Sequence, residues 1–165
     1  MKISTRQNKQ SSLSEESINQ MDAFGLEEMY QCGQQIAALM TIPSVVYLQG
    51  GLGAGKTTLV QGIARFFNYP GIVSSPTYNL IHEYLCVTEN GNVNIAHLDL
   101  YRLEDSEELD MLGLGDLLTN NSILLIEWPE KGNSRIPRYD FKIKITDISS
   151  LDNHRIGRRL QIETQ

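Results

Sequence analysis

The fold class predicted for this 165-residue sequence is a three-layer α/β sandwich: a mixed central sheet with parallel core strands and antiparallel additions, and helices on both faces. Three observations predict it. The apolar run "SVVYLQ" at 44–49 leads into the glycine-rich "GGLGAGKTT" at 50–58, and this leads into "TTLVQGIARFFN", whose Leu59, Val60, Ile63, Ala64 and Phe67 recur at helical spacing. "SILLIEWPE" is continuously apolar up to an acid, as expected of a strand buried on both faces in a parallel sheet. "NLIHEYLCV" with "VNIAHLDL", and "YDFKIKITDI" with "RIGRRLQIET", read as two antiparallel pairs.

Taken in order, residues 1 to about 22 are polar, rich in Ser, Gln and Asn, and predict a flexible tail before a single domain spanning 23–165. Leu26, Met29, Gly33, Ile36, Ala37 and Met40 recur at three and four and predict an amphipathic helix ending before Pro43. After the helix that follows the glycine loop, "NYPG" is a stop signal and "IVSSPTY" a proline-interrupted exposed segment. Asn-Gly in "TENGN" predicts the tight reversal of a hairpin. In "LEDSEELDMLGLGDLL", Asp105 and Glu108 have the spacing of a capping box, opening a helix that Gly113 and Gly115 end. "SSLDNH" is the turn between the last two strands.

The glycine loop carries the chemistry. Gly50, Gly55, Lys56 and Thr57 fit G-x-x-x-x-G-K-[ST], in which loop amides face phosphate oxygens, lysine adds positive charge and a hydroxyl reaches Mg²⁺. Gly50, Gly51, Leu52, Gly53, Ala54, Gly55, Lys56, Thr57 and Thr58 are therefore the expected nucleotide contacts, in a P-loop NTPase-like fold. Strand, loop and helix in that order set the helix N-terminus against the phosphates. A triphosphate site also needs acids for metal and water, and acids at strand ends supply them. Glu127 and Asp99 both follow apolar strands; with Thr57 they are the expected metal ligands, and with Lys56 the expected catalytic residues. Each acid alone reads equally as a helix cap or surface charge. Thr77 of "SSPTY" is either a switch-like threonine at the γ-phosphate or a turn threonine, and Trp128, the sole tryptophan, either packs the core or covers the site.

Composition narrows the function. A net charge of −6 argues against tight, independent nucleic-acid binding, and the basic cluster "HRIGRR" reads as a solvated strand end as readily as an RNA contact. Cys32 and Cys86 lack metal-ligand spacing and read as buried reduced thiols; His97, in an apolar strand, reads as a satisfied structural histidine. No apolar run reaches the 18 or so residues of a membrane span, and the start has no signal-like apolar core, so the expectation is a cytoplasmic protein without membrane partners. A guanine-reading [NT]-K-x-D motif is missing, which favours ATP over GTP.

"GGLGAGKTT", "SPTYNLIHEY", "HLDLYRLED", "EEL" and "IEWPEKG", in this order and spacing, resemble the TsaE family of small bacterial P-loop ATPases, over roughly residues 24–163. The resemblance implies an ATPase, weak alone, that works with the proteins TsaD and TsaB to support repeated formation of threonylcarbamoyladenosine in tRNAs reading codons that start with A. It implies ATP or ADP and Mg²⁺ as ligands, with tRNA met through the complex. It also implies that Lys56, Thr57 and Thr58 hold phosphates and Mg²⁺, that Asp99 and Glu127 are essential acids, that Thr77 is a switch threonine, and that Trp128 lies beside the nucleotide. The chain departs from the family where Gly51 replaces the usual Asp or Glu, and in its polar N-terminal extension. Two other readings of the same loop stay open: a small-molecule kinase, for which Arg102, Arg135 or Arg138 would serve in a lid, and a non-catalytic nucleotide-sensing subunit.

Overall fold

The structure, a computed structural model, describes residues 19–149 and 155–165. It contains β1 (Gln20–Phe24), α1 (Leu26–Leu39), β2 (Ser44–Gln49), α2 (Lys56–Phe66), β3 (Ile81–Thr88), β4 (Gly91–Asp99), α3 (Glu108–Met111), α4 (Leu114–Leu117), β5 (Ser122–Glu127), β6 (Phe141–Asp147) and β7 (Gly157–Thr164). Short 3₁₀ turns occupy Pro129–Lys131 and Asn133–Arg135. The sheet order is β1-β7-β6-β2-β5-β4-β3. Strands β6, β2, β5 and β4 are mutually parallel, and β3, β7 and β1 add antiparallel edges. This is the mixed sheet that the alternation of apolar runs and hairpin signals predicts.

The two faces are covered unequally. On one, α1 and α2 pack over Val46, Leu48, Ile95, Ile123, Leu125, Ile143 and Leu160. On the other, Val45, Ala96, Leu98, Leu124 and Ile126 lie beneath the short segments contributing Leu103, Leu109, Leu114 and Ile136. Half of the expected capping box forms: Glu108 Oε1 accepts from the Asp105 N–H at 3.0 Å, whereas Asp105 Oδ1 accepts from the Glu107 N–H at 2.9 Å and not from that of Glu108, and α3 begins after Glu107. The expected helix is nonetheless two single turns, because Gly113 adopts φ 62° and breaks it, while Gly115 sits inside the second turn.

Three further differences are local. Residues 20–24 are a strand, so the predicted tail extends no further than Asn19 on this side; residues 1–18 of it lie outside the described residues. "QMDAF" lacks the β-branched run that marks a strand, and it is held by β7, including the Asp22–Arg159 pair at 2.7 Å. The hairpin turns at Glu89–Asn90, one position earlier than the Asn-Gly signal predicts, with Thr88 paired to Gly91 and Gly91 at φ 119°. Of the "SSLDNH" turn only Ser149 falls within the described residues. Among those residues, no helix is long and apolar enough to cross a membrane. Both cysteines are buried and unbridged, and burial pushes the Cys86 thiol up to about 11.

Helices α1 and α2 meet backbone to backbone. A Cβ on Gly33 would lie 2.6 Å from the Leu59 carbonyl oxygen, and one on Gly62 would lie 2.4 Å from that of Tyr30. An exposed helical Gly→Ala change stabilises by about 1 kcal/mol. Gly62→Ala is expected to reverse that sign, destabilising by about 1–3 kcal/mol through overpacking. Urea unfolding followed by circular dichroism reads the difference, and a gain in stability would refute the close crossing.

Candidate functional site

The parallel register brings the site together. Leu48 pairs with Glu127 and Asp99 pairs with Glu127, so β2, β5 and β4 end at one edge of the sheet. From that edge the chain leaves β2 into the loop 50–55 and re-enters α2 at Lys56. Gly55 precedes the helix at φ 102°, in the left-handed region that only glycine adopts without cost. Among the described residues, the N–H groups of Gly55, Lys56, Thr57 and Thr58 meet no protein acceptor. They form an amide cluster at a helix N-terminus, an arrangement suited to anions.

A cavity of about 450 Å³ opens over this edge. It is lined by Leu52, Gly53, Ala54, Gly55, Lys56, Thr57 and Thr58 from the loop and helix, by Asp99, Glu127 and Trp128 from the ends of β4 and β5, and by Thr77 from the segment before β3. Every predicted site residue except Gly50 and Gly51 therefore borders one space. Those two meet the site through their carbonyl oxygens, which accept from Lys56 Nζ at 2.8 and 3.0 Å. A Cβ at Gly51 would meet nothing within 4 Å, so a larger side chain there would project into open space.

Lys56 is 5% exposed, with its ammonium 3.9 Å from Glu127 Oε2 and 4.3 Å from the centre of the Trp128 ring. Burial pulls its pKa below the usual lysine value, against the opposing pull of Glu127, Asp99 and Glu130. An anionic ligand in the cavity would relieve that cost. Glu127 Oε1 accepts from the Thr57 hydroxyl at 3.2 Å and from His97 Nε2 at 2.9 Å. Asp99 Oδ2 accepts from the Thr77 hydroxyl at 2.7 Å and the Ser75 hydroxyl at 3.2 Å, while its Oδ1 accepts from the Tyr101 N–H at 3.0 Å. Thr77, itself in a turn, is thus tied to Asp99 by its hydroxyl. Trp128 stands at φ 56°, a costly conformation for a bulky side chain, and its ring lies 5.0 Å from that of Tyr101 at the cavity wall.

His97 departs from the sequence expectation. It is fully buried and its Nε2 is bonded to Glu127, but among the described residues its Nδ1 finds no hydrogen-bond partner, so its polar atoms are only half satisfied there. Ser75 and Tyr101 also escaped the sequence reading; their signal is only nearness to Thr77 and Asp99. Of the three arginines weighed for a kinase lid, Arg102 borders the cavity and stacks on Tyr78 at 4.4 Å, whereas Arg135 is paired with Asp110 and Glu107. The arginines of "HRIGRR" meet acids of their own chain: Arg155 with Glu28, Arg158 with Asp147 and Arg159 with Asp22. His154 of the same stretch lies outside the described residues.

The donor set suits a hard cation. Among the described residues no three His, Cys, Asp or Glu side chains converge as a metal cage. Two carboxylates and a hydroxyl, all oxygen, leave most of the coordination sphere to phosphate and water, which is the usual arrangement for Mg²⁺. Thr77→Ala should remove one bond to Asp99 at a cost of about 1.5–3 kcal/mol, the scale of a hydrogen bond to a charged group, and it should speed amide hydrogen exchange at 74–79 selectively. Unchanged exchange there would show that Asp99 does not hold this segment.

Comparison with known proteins agrees with the geometry. The family described as "Threonylcarbamoyl adenosine biosynthesis protein TsaE" matches residues 25–156. Proteins named tRNA threonylcarbamoyladenosine biosynthesis protein TsaE are similar to this chain. That of Haemophilus influenzae is 46% identical over 101 residues, covering 61% of each chain. That of a Synechocystis species is 37% identical over 119 residues, covering 68% of this chain and 73% of the relative. That of Bacillus subtilis is 34% identical over 119 residues, covering 72% of each. The alignment of this chain with the Haemophilus protein thus spans less than two thirds of that relative. A crystal structure of Bacillus subtilis YdiB shares the fold, with a TM-score of 0.66, 23% identity and coverage of 88% of this chain and 85% of the other. With a phosphate-type loop and two strand-end acids around one cavity and a family match over most of its length, the chain belongs to the TsaE family.

Proposed function

We propose that this chain binds ATP with Mg²⁺ in the 450 Å³ cavity and hydrolyses it, slowly alone and faster with the proteins TsaD and TsaB. In this reading it works in the cytoplasm and supports repeated threonylcarbamoyladenosine formation in tRNAs that read codons beginning with A, meeting tRNA through the complex. One observation carries the reading: Lys56, Thr57, Asp99, Glu127 and Trp128 border the same cavity, beside the amides that have no protein acceptor. The names of the relatives support the pathway.

Each side chain then has a task. The free amides of Gly55 to Thr58 bind phosphate oxygens, and the Lys56 ammonium exchanges its two loop carbonyls for phosphate. Thr57, Asp99 and Glu127 supply oxygen donors for Mg²⁺ and the attacking water. When bound, Mg²⁺ neutralises charge on the triphosphate and orients its terminal group. Thr77 is positioned to report the γ-phosphate to the segment before β3, since it already bonds Asp99. Trp128 and Tyr101 wall the cavity, and exposed Leu52 and Tyr78 offer an apolar rim for a covering protein.

Hydrolysis by the purified chain, with and without TsaD and TsaB, tests the proposal. Partner-stimulated, Mg²⁺-dependent release of phosphate is expected, with Lys56→Ala lowering it about 100-fold or more, the scale of losing a charge-stabilising donor. Trp128, the sole tryptophan, provides a fluorescence signal for nucleotide entry. Binding without hydrolysis in any combination would replace the ATPase with a nucleotide-sensing role, and wild-type turnover by Lys56→Ala would remove the loop from the chemistry.

A further inference from the structure

Behind the loop, on the side away from the cavity, stands Arg158 of β7, outside the family match at 25–156. Its guanidinium is spanned from both sides. Nε donates to the Ala54 carbonyl at 3.1 Å and Nη2 to the Gly53 carbonyl at 3.3 Å. Nη1 donates to the Gly157 carbonyl at 2.9 Å and the Ser149 hydroxyl at 3.2 Å, and it lies 3.0 Å from Asp147 Oδ2. The side chain is 19% exposed. Arg158 borders a smaller space of about 170 Å³ with Gly53, Ala54 and Gly55, and it does not line the larger cavity that those three residues also border. The loop is a wall between the arginine and the candidate phosphate position.

In a trans peptide the carbonyl of one residue and the N–H of the next point in opposite directions. Holding the Gly53 and Ala54 oxygens toward Arg158 therefore turns the Ala54 and Gly55 N–H groups the other way. The Ala54 N–H closes a turn on the Gly51 oxygen at 3.2 Å, leaving the Gly55 N–H for a ligand. Gly53 and Gly55, at φ 72° and 102°, belong to a residue type that loses the most conformational freedom on ordering. A loop ordered before the ligand arrives binds it with less entropic loss.

We propose that Arg158, braced by Asp147 and Ser149, is a positioning residue that sets the peptide planes of the phosphate loop from behind. The proposal rests on the reading of the loop as a phosphate site. Two experiments separate the two ideas. In calorimetric titrations, Arg158→Gln should weaken both MgATP and MgADP by about tenfold, roughly the value of a hydrogen bond to a charged group. Turnover at saturation should stay near wild type, KM should rise, and Arg158→Lys should recover part of the affinity. Asp147→Asn, which leaves the loop untouched, should shift affinity in the same direction by less, and it stands in if Arg158→Gln does not fold. Without nucleotide, amide hydrogen exchange at 51–55 should quicken in Arg158→Gln. Nucleotide affinity within twofold of wild type, or loop exchange unchanged, would overturn the proposal. If wild type binds no nucleotide, the phosphate reading fails, while the exchange experiment still decides whether Arg158 orders the loop.

Discussion

The parallel pairing of β5 with β2 on one side and β4 on the other is the constraint on which the site depends. Parallel strands in register end at the same edge, so Gln49, Glu127 and Asp99 arrive together although they lie far apart in sequence. Side chains alternate along a strand, so His97 and Asp99 face the same side as Ile95, the side on which α2 packs. A one-residue slip of β4 would move both to the opposite face and leave Glu127 without its imidazole neighbour. The buried apolar residues on both faces of β5 hold that register in place.

Around the edge, charges are held by protein neighbours and not by solvent. Lys56, Asp99 and Glu127 are all buried, with one positive and two negative groups sharing donors from Thr57, Ser75, Thr77 and His97. A buried ion is costly unless paired and hydrogen-bonded. Each of these is bonded, yet none is saturated: Lys56 is held by loop carbonyls and Glu127 Oε2 only by a distant ammonium. Such partial satisfaction suits a site that exchanges protein partners for ligand oxygens.

Most of the fold was legible because its signals are local. The spacing of Met29, Ile36 and Ala37, the apolar run of 123–126 and the glycine loop each declare their own structure within a few residues. What escaped is non-local. β1 is a strand only because β7 offers it an edge, and its five residues carry little propensity of their own. The break at Gly113 looked like a terminus because glycine marks both helix ends and interruptions. In the site, the acids were visible because they terminate apolar runs, whereas the bond from His97 to Glu127 crosses between neighbouring strands and has no sequence spacing to reveal it.

The pairing of β1 with β7 also has a bearing on the order of assembly. Asp22 and Arg159, joined across that pair, stand 137 positions apart. Of the described strands, β1 leaves the ribosome first and its neighbour β7 last, so its unpaired edge persists until all the other strands have been made. Contacts of such long sequence separation form slowly. By that rule the β3–β4 hairpin, whose pairing is local, needs no later segment, whereas the β1 edge waits for β7, and in the nascent protein Met21 and Ala23 are apolar groups in waiting on an open strand.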